Sequence, residues 1–164
     1  ERSKIGKNVK RWDRIIMGIY TILLPTVFIL AGLDVGRFKL SMVPLFIQIV
    51  AWFGMTAAGV IIIWTVTSNT YLSRYARIQD DREQKVIIKG PYRFVRHPMY
   101  AGIIILFLSV GPALGSYLAL IPGVLTDVLF IIRTAKEDQM LQEELDGYSN
   151  YAQQVRYRLL PGVW

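Results

Sequence analysis

The sequence contains no cysteine, which excludes disulfides, thiolate metal sites and a cysteine nucleophile. Its single histidine, His97, cannot build a histidine-rich metal cluster, so no metal site is expected. Charge is also sparse: 19% of residues are Asp, Glu, Lys or Arg, against 53% apolar ones. With a mean hydropathy of +0.37, these values argue against an ordinary water-soluble globule. The 164 residues suit one domain, and no internal repeat, low-complexity tract or linker divides residues 1–164.

What the chain has instead is long uncharged blocks. Ile15 to Leu33 carries no charge and one proline, which neighbouring helices can accommodate in a bilayer. Its basic flank resembles the start of a signal peptide, but the run is too long and no small-residue cleavage site follows, so a retained span is expected. The sequence starts at Glu1 rather than methionine, as expected after trimming or processing. Val43 to Val66 is long enough to be a second span. Met99 to Ile132 would measure about 51 Å as one helix, against roughly 30 Å of hydrocarbon. It must fold back, and Gly111-Pro112 and Gly115-Ser116 are the natural breakers.

The expected fold is therefore all-α and polytopic, with about four transmembrane helices at 15–33, 43–66, 98–114 and 117–133, the last two forming a hairpin. An even number of spans puts the N-terminal segment and the polar segments 67–97 and 134–164 on one side. That side carries 17 of the 19 Lys and Arg residues, leaving Arg37 and Lys39 opposite. The positive-inside rule makes it cytoplasmic, an integral, multi-pass arrangement with the site on the cytoplasmic face. Membrane topology thus accounts for the net charge of +7, and no nucleic-acid partner is expected.

Chemistry concentrates around Lys89-Gly90-Pro91-Tyr92-Arg93-Phe94-Val95-Arg96-His97-Pro98-Met99-Tyr100-Ala101-Gly102. Pro98 suits the first position of a helix and His97 its cap. A helix N-terminus offers free N–H groups and partial positive charge, which with Arg96 favours a carboxylate or phosphate. The same residues would also serve as interface anchors, with Tyr92 and Tyr100 in an aromatic belt. Further on, Arg133 and Glu137 are four apart and share a helix face. Asp127, inside the fourth block, could pair with an arginine, shape a channel or pack protonated. Glu143, Glu144, Asp146 and Gly147 read as a solvated helix face and its end, and Tyr148 to Trp164 as a tail lying on the interface and partly covering the site.

The string G-P-Y-R-F-V-R-H-P-M-Y-A-G closely resembles the G-x-Y-x-x-x-R-H-P-x-Y-x-G signature of membrane methyltransferases, the isoprenylcysteine carboxyl methyltransferase and phospholipid N-methyltransferase families. The second half of that signature is matched by Arg133 through Glu137-Asp138, then Tyr148, Tyr151 and Leu159-Leu160-Pro161. Asp138 stands where a second glutamate is commoner. The resemblance implies a helical membrane enzyme using S-adenosylmethionine and releasing S-adenosylhomocysteine. It implies cofactor contacts from Tyr92, His97, Pro98, Met99 and Tyr100, from Gln84, Lys85, Val86 and Ile87 on the adenine and ribose side, and from Glu137. It also implies that Arg133 faces the methyl acceptor.

Those residue types suit the chemistry. The helix start with Arg96 can hold the cofactor's carboxylate, and Glu137 can accept from its ammonium and hydroxyls. An acceptor carboxylate is already anionic at pH 7 and needs only an orienting cation, while an amine also needs a base. The nearest family acceptor is a lipophilic, membrane-embedded isoprenylcysteine carboxylate, with phospholipid amines and small thiols as alternatives. Two other readings stay open: an NADPH-dependent reductase, since integral sterol reductases have a similar R-H-P-x-Y-x-G stretch and tail, and a non-catalytic membrane subunit. The acidic character of Arg133 to Glu144 argues against the diphosphate of NADPH. Oligomeric state is open.

Overall fold

The computed structural model describes residues 9–79 and 82–164. Five α-helices and no strand occur among them: α1 (Arg11–Gly32), α2 (Leu45–Ser68), α3 (Pro98–Ala113), α4 (Leu120–Glu144) and α5 (Tyr148–Gln154). A π-turn, Leu33–Phe38, extends α1, and a 3-10 turn, Gly90–Arg93, precedes α3. Two helices are long and apolar enough to cross a membrane: α1 with its extension and α2, with mean hydropathies of 2.2 and 2.1. Apolar side chains on both face outward, with Ile22 69% and Phe53 72% exposed, which is the pattern for a lipid-facing surface rather than a soluble core. At 16 residues, α3 is about 24 Å long, shorter than the hydrocarbon layer.

The helices pack in the order α2, α3, α4, α1. Without a hydrophobic drive between apolar helices in lipid, close approach at small residues supplies the packing. Gly102 of α3 sits against α2, where an added Cβ would lie 2.8 Å from Ile62 and 3.3 Å from the Ala58 carbonyl. Gly123 of α4 sits against α3, with the Phe107 carbonyl 2.8 Å from the position of a Cβ. Gly123→Ala is therefore expected to prise the hairpin open at a cost of about 1–3 kcal/mol. A thermal midpoint in detergent equal to the wild type would contradict it.

The hairpin turns at Gly115, whose φ of +81° is the left-handed conformation that glycine adopts freely. Asp34, in the π-turn, ties this end together. Its carboxylate accepts from Leu40 N–H (3.1 Å), Ser41 N–H (2.9 Å), and the Ser41 and Ser116 hydroxyls. The end of α1 is thereby fastened to the α3–α4 turn.

The first helix starts at Arg11 rather than 15, the second runs Leu45–Ser68 rather than 43–66, and the last span differs most. The fourth helix starts at Leu120 rather than 117, and it does not stop at 133 but continues to Glu144. The polar stretch Ala135 to Glu144 is rich in good helix formers, and nothing breaks it before Gly147, at φ +81°. This extension carries Glu137 and Asp138 on a rigid element.

Candidate functional site

At the end of the bundle opposite Asp34, residues from 69–79 and 84–100, the extension of α4 and helix α5 border a cavity of mixed polar and apolar lining. Gln84, Lys85, Val86 and Ile87 form one side of it, Tyr92 and Arg96 through Tyr100 another, and Glu137 a third. The residues singled out by the sequence in three separate segments thus share one cavity. Arg133 does not line it.

The start of α3 is held by the tail. The N–H groups of Arg96 and His97 donate to the carbonyls of Tyr157 and Arg158, each at 2.9 Å. His97 occupies the cap position, but its side chain makes no capping bond. These two donors are therefore not free for an anion. Nor is the Arg96 side chain, whose Nε and Nη2 donate to Asp138 at 2.7 and 3.0 Å while Nη1 donates to the carbonyls of Val155 (2.8 Å) and Arg156 (2.9 Å). Although Arg96 borders the cavity, it is a fastening between α3, α4 and the tail.

Asp138 is the hub of that fastening and is fully buried. Besides Arg96 it accepts from Arg158 Nε (2.8 Å), the Tyr148 hydroxyl (3.0 Å) and Gln142 (2.8 Å), and His97 Nε2 lies 3.3 Å away. Burial pushes its carboxyl pKa up, but the bonds from His97, Arg96 and Arg158 outweigh burial and hold it well below the usual carboxylate range. Arg96 is affected in the opposite sense. Burial lowers its pKa, and the hydrogen bond and charge of Asp138 more than restore it.

Tyrosines furnish much of the remaining wall. The Tyr151 hydroxyl donates to the Tyr92 carbonyl at 2.7 Å, and Asn69 donates to the Tyr92 hydroxyl at 2.8 Å. Burial raises the Tyr92 phenol to about 12, against a smaller lowering by Asn69. Burial also raises Tyr148 and Tyr151, so all three stay neutral donors at pH 7. Tyr100 stacks on His97 with centroids 5.7 Å apart and planes within 4°, and its hydroxyl donates to Glu137 Oε2 at 2.5 Å. Glu137 is a carboxylate on the cavity wall with its side chain 20% exposed.

Arg133 lies behind this wall, 3% exposed. Its Nε is 2.8 Å from Asp13 Oδ1, Nη2 donates to the Arg74 carbonyl at 2.8 Å, and Nη1 is 3.1 Å from Met17 Sδ. Asp13, the Arg74 carbonyl and Met17 thus surround the guanidinium and hold it away from the cavity. Asp127 is buried too, and neither of its oxygens has a hydrogen-bond partner among the described residues. The arginine it could have paired with is taken by Asp13. Sequence reasoning missed Asp13, a lone acid in a basic flank, and the wall formed by 69–79, which has no motif. It found Asp138 only as a departure from a pattern.

Fold and site together define a helical membrane protein with a tyrosine-rich cavity at the end of its bundle, on whose wall Glu137 is the carboxylate among the described residues. The model of the isoprenylcysteine carboxyl methyltransferase (ICMT) family matches residues 40–143, well over half of the chain. The chain belongs to this family of membrane methyltransferases. The match includes the 84–100 segment, Glu137 and Asp138, and leaves out Asp13 and the tail. None of the curated proteins matches the chain.

Proposed function

We propose that the chain transfers a methyl group from S-adenosylmethionine to a lipophilic, membrane-embedded acceptor, foremost an isoprenylcysteine-like carboxylate, as a four-span protein with its cavity on the cytoplasmic face. The observation that carries this reading is the convergence of Gln84 to Ile87, Tyr92, His97 to Tyr100 and Glu137 on one cavity. The donor set suits the cofactor: Glu137 matches an ammonium or ribose hydroxyls, and aromatic rings favour the positive sulfonium. Arg96 and Arg158, both held by Asp138, are poor candidates for a diphosphate, which disfavours NADPH. The α3–α4 hairpin completes the four spans, and 17 of 19 basic side chains then lie on the cavity's side.

Bound S-adenosylmethionine would supply a methyl group on a sulfonium, whose carbon–sulfur bond breaks with its electron pair passing to sulfur as the carbon–oxygen bond to the carboxylate forms. No proton has to move. The protein's contribution is alignment and exclusion of water: the Tyr100 ring, stacked on His97, and Glu137 fix the cofactor, and Tyr148 and Tyr151 of α5 border the cavity. Since Arg133 is enclosed, its contribution is to the wall rather than to direct contact.

Calorimetric titration of the detergent-purified protein with S-adenosylhomocysteine and, separately, NADPH tests the assignment. Saturable binding of the first alone is expected. Binding of NADPH alone would replace it with a reductase, and binding of neither would return the chain to a non-catalytic role.

A further inference from the structure

Asp13 lies ahead of the family-matched residues 40–143, in the first turn of α1, yet it is fully buried 2.8 Å from the arginine behind the cavity wall. Burying a charge pair is costly, and apolar residues of similar volume would join α1 to α4 at least as well. Adhesion between helices therefore gives no reason for a charged pair here. Its surroundings supply another reason. Arg133 Nε is also 3.9 Å from Glu137 Oε2, one helical turn away, and its guanidinium carbon is 5.2 Å from the centroid of Tyr100, whose hydroxyl donates to the same Glu137 oxygen. Arg133 thus stands between two carboxylates and is in contact with one of them. Asp13 is itself fixed by the Ala76 N–H, which donates to its Oδ2 at 2.7 Å, and Arg133 by the Arg74 carbonyl.

Building on the S-adenosylmethionine reading of the cavity, we propose that Asp13 is a positioning residue that holds Arg133 back from Glu137 and so keeps the Glu137 carboxylate available to the cationic end of the cofactor. With the Asp13 charge gone, the anion left within 4 Å of the Arg133 guanidinium among the described residues is Glu137, and a charge-assisted bond between them competes with an incoming ammonium. Removing Arg133 as well removes the competitor. A merely structural pair would instead lose and regain affinity only in step with the thermal midpoint, which is read on the same variants.

The test uses the full chain in detergent, with S-adenosylhomocysteine, which bears the same ammonium, as the probe for calorimetry. Asp13→Asn keeps an oxygen to accept from Ala76 N–H but removes the charge. It is expected to weaken binding about tenfold, the order of one compromised charge-assisted bond. Asp13→Asn/Arg133→Met is expected to recover most of that loss. Wild-type affinity in Asp13→Asn, or a double variant no better than the single one, would overturn the proposal while leaving the cofactor reading intact. A wild-type protein that fails to bind the probe would overturn that reading first, and the proposal with it. If Asp13→Asn does not fold whereas the double variant does, the pair serves stability alone and the proposal falls; if neither folds, the same conclusion holds.

Discussion

Asp138→Asn is expected to be among the most damaging single substitutions in the chain, destabilising it by about 3–5 kcal/mol. The carboxylate is fully buried and receives Arg96 through two bonds and Arg158 through one. An amide keeps the volume but removes the charge, so two guanidinium groups lose their counter-ion and one oxygen acceptor becomes an N–H₂ facing donors. Because Arg96 adjoins His97 and the tail carbonyls, the damage should reach the cavity, and binding of S-adenosylhomocysteine should fail with folding. Chemical denaturation and the probe titration would check both, and a variant with wild-type stability would remove Asp138 from its place as hub. The pH dependence has a definite sign. Since the folded-state pKa is depressed, the stabilisation from this cluster is complete above the ordinary aspartate value of about 4 and is lost as pH falls below it toward the lowered pKa.

Glu137→Gln should behave in the opposite way, with affinity lost and fold retained. The side chain reaches the cavity, and glutamine can still accept from the Tyr100 hydroxyl, so the thermal midpoint should move little. What disappears is the negative charge offered to a cationic ligand. A charge-assisted hydrogen bond contributes about 1.5–3 kcal/mol, so the dissociation constant for S-adenosylhomocysteine should rise roughly ten- to a hundredfold. An unchanged constant would remove Glu137 from the cofactor contacts.

The sequence made some of these features readable and hid others, for identifiable reasons. The hairpin followed from length alone, because no single 34-residue helix fits a bilayer, and of the two breakers expected Gly115-Ser116 makes the turn while Gly111-Pro112 stays inside α3. The far end of α4 was hidden because the charge pattern marks where an apolar span ends, whereas the backbone continues for as long as the residues favour a helix. Residues 84–100 and Glu137 carry a recognisable motif, and the structure brings them to one cavity. The partners of Arg96 and Arg133 were not legible. Asp13 is 120 positions from Arg133, and Val155 and Arg156 contribute carbonyls, which have no sequence signature at all.

The tail carbonyls of Tyr157 and Arg158 that receive the Arg96 and His97 amides also set a biosynthetic order. Residues 155–164 follow all five described helices and are therefore made after them. Until they emerge, the start of α3 lacks two hydrogen-bond acceptors and Asp138 lacks Arg158. A nascent chain can therefore place its apolar helices in the membrane well before the edge of its cavity is fastened, so acquisition of ligand binding would report that synthesis has passed Arg158.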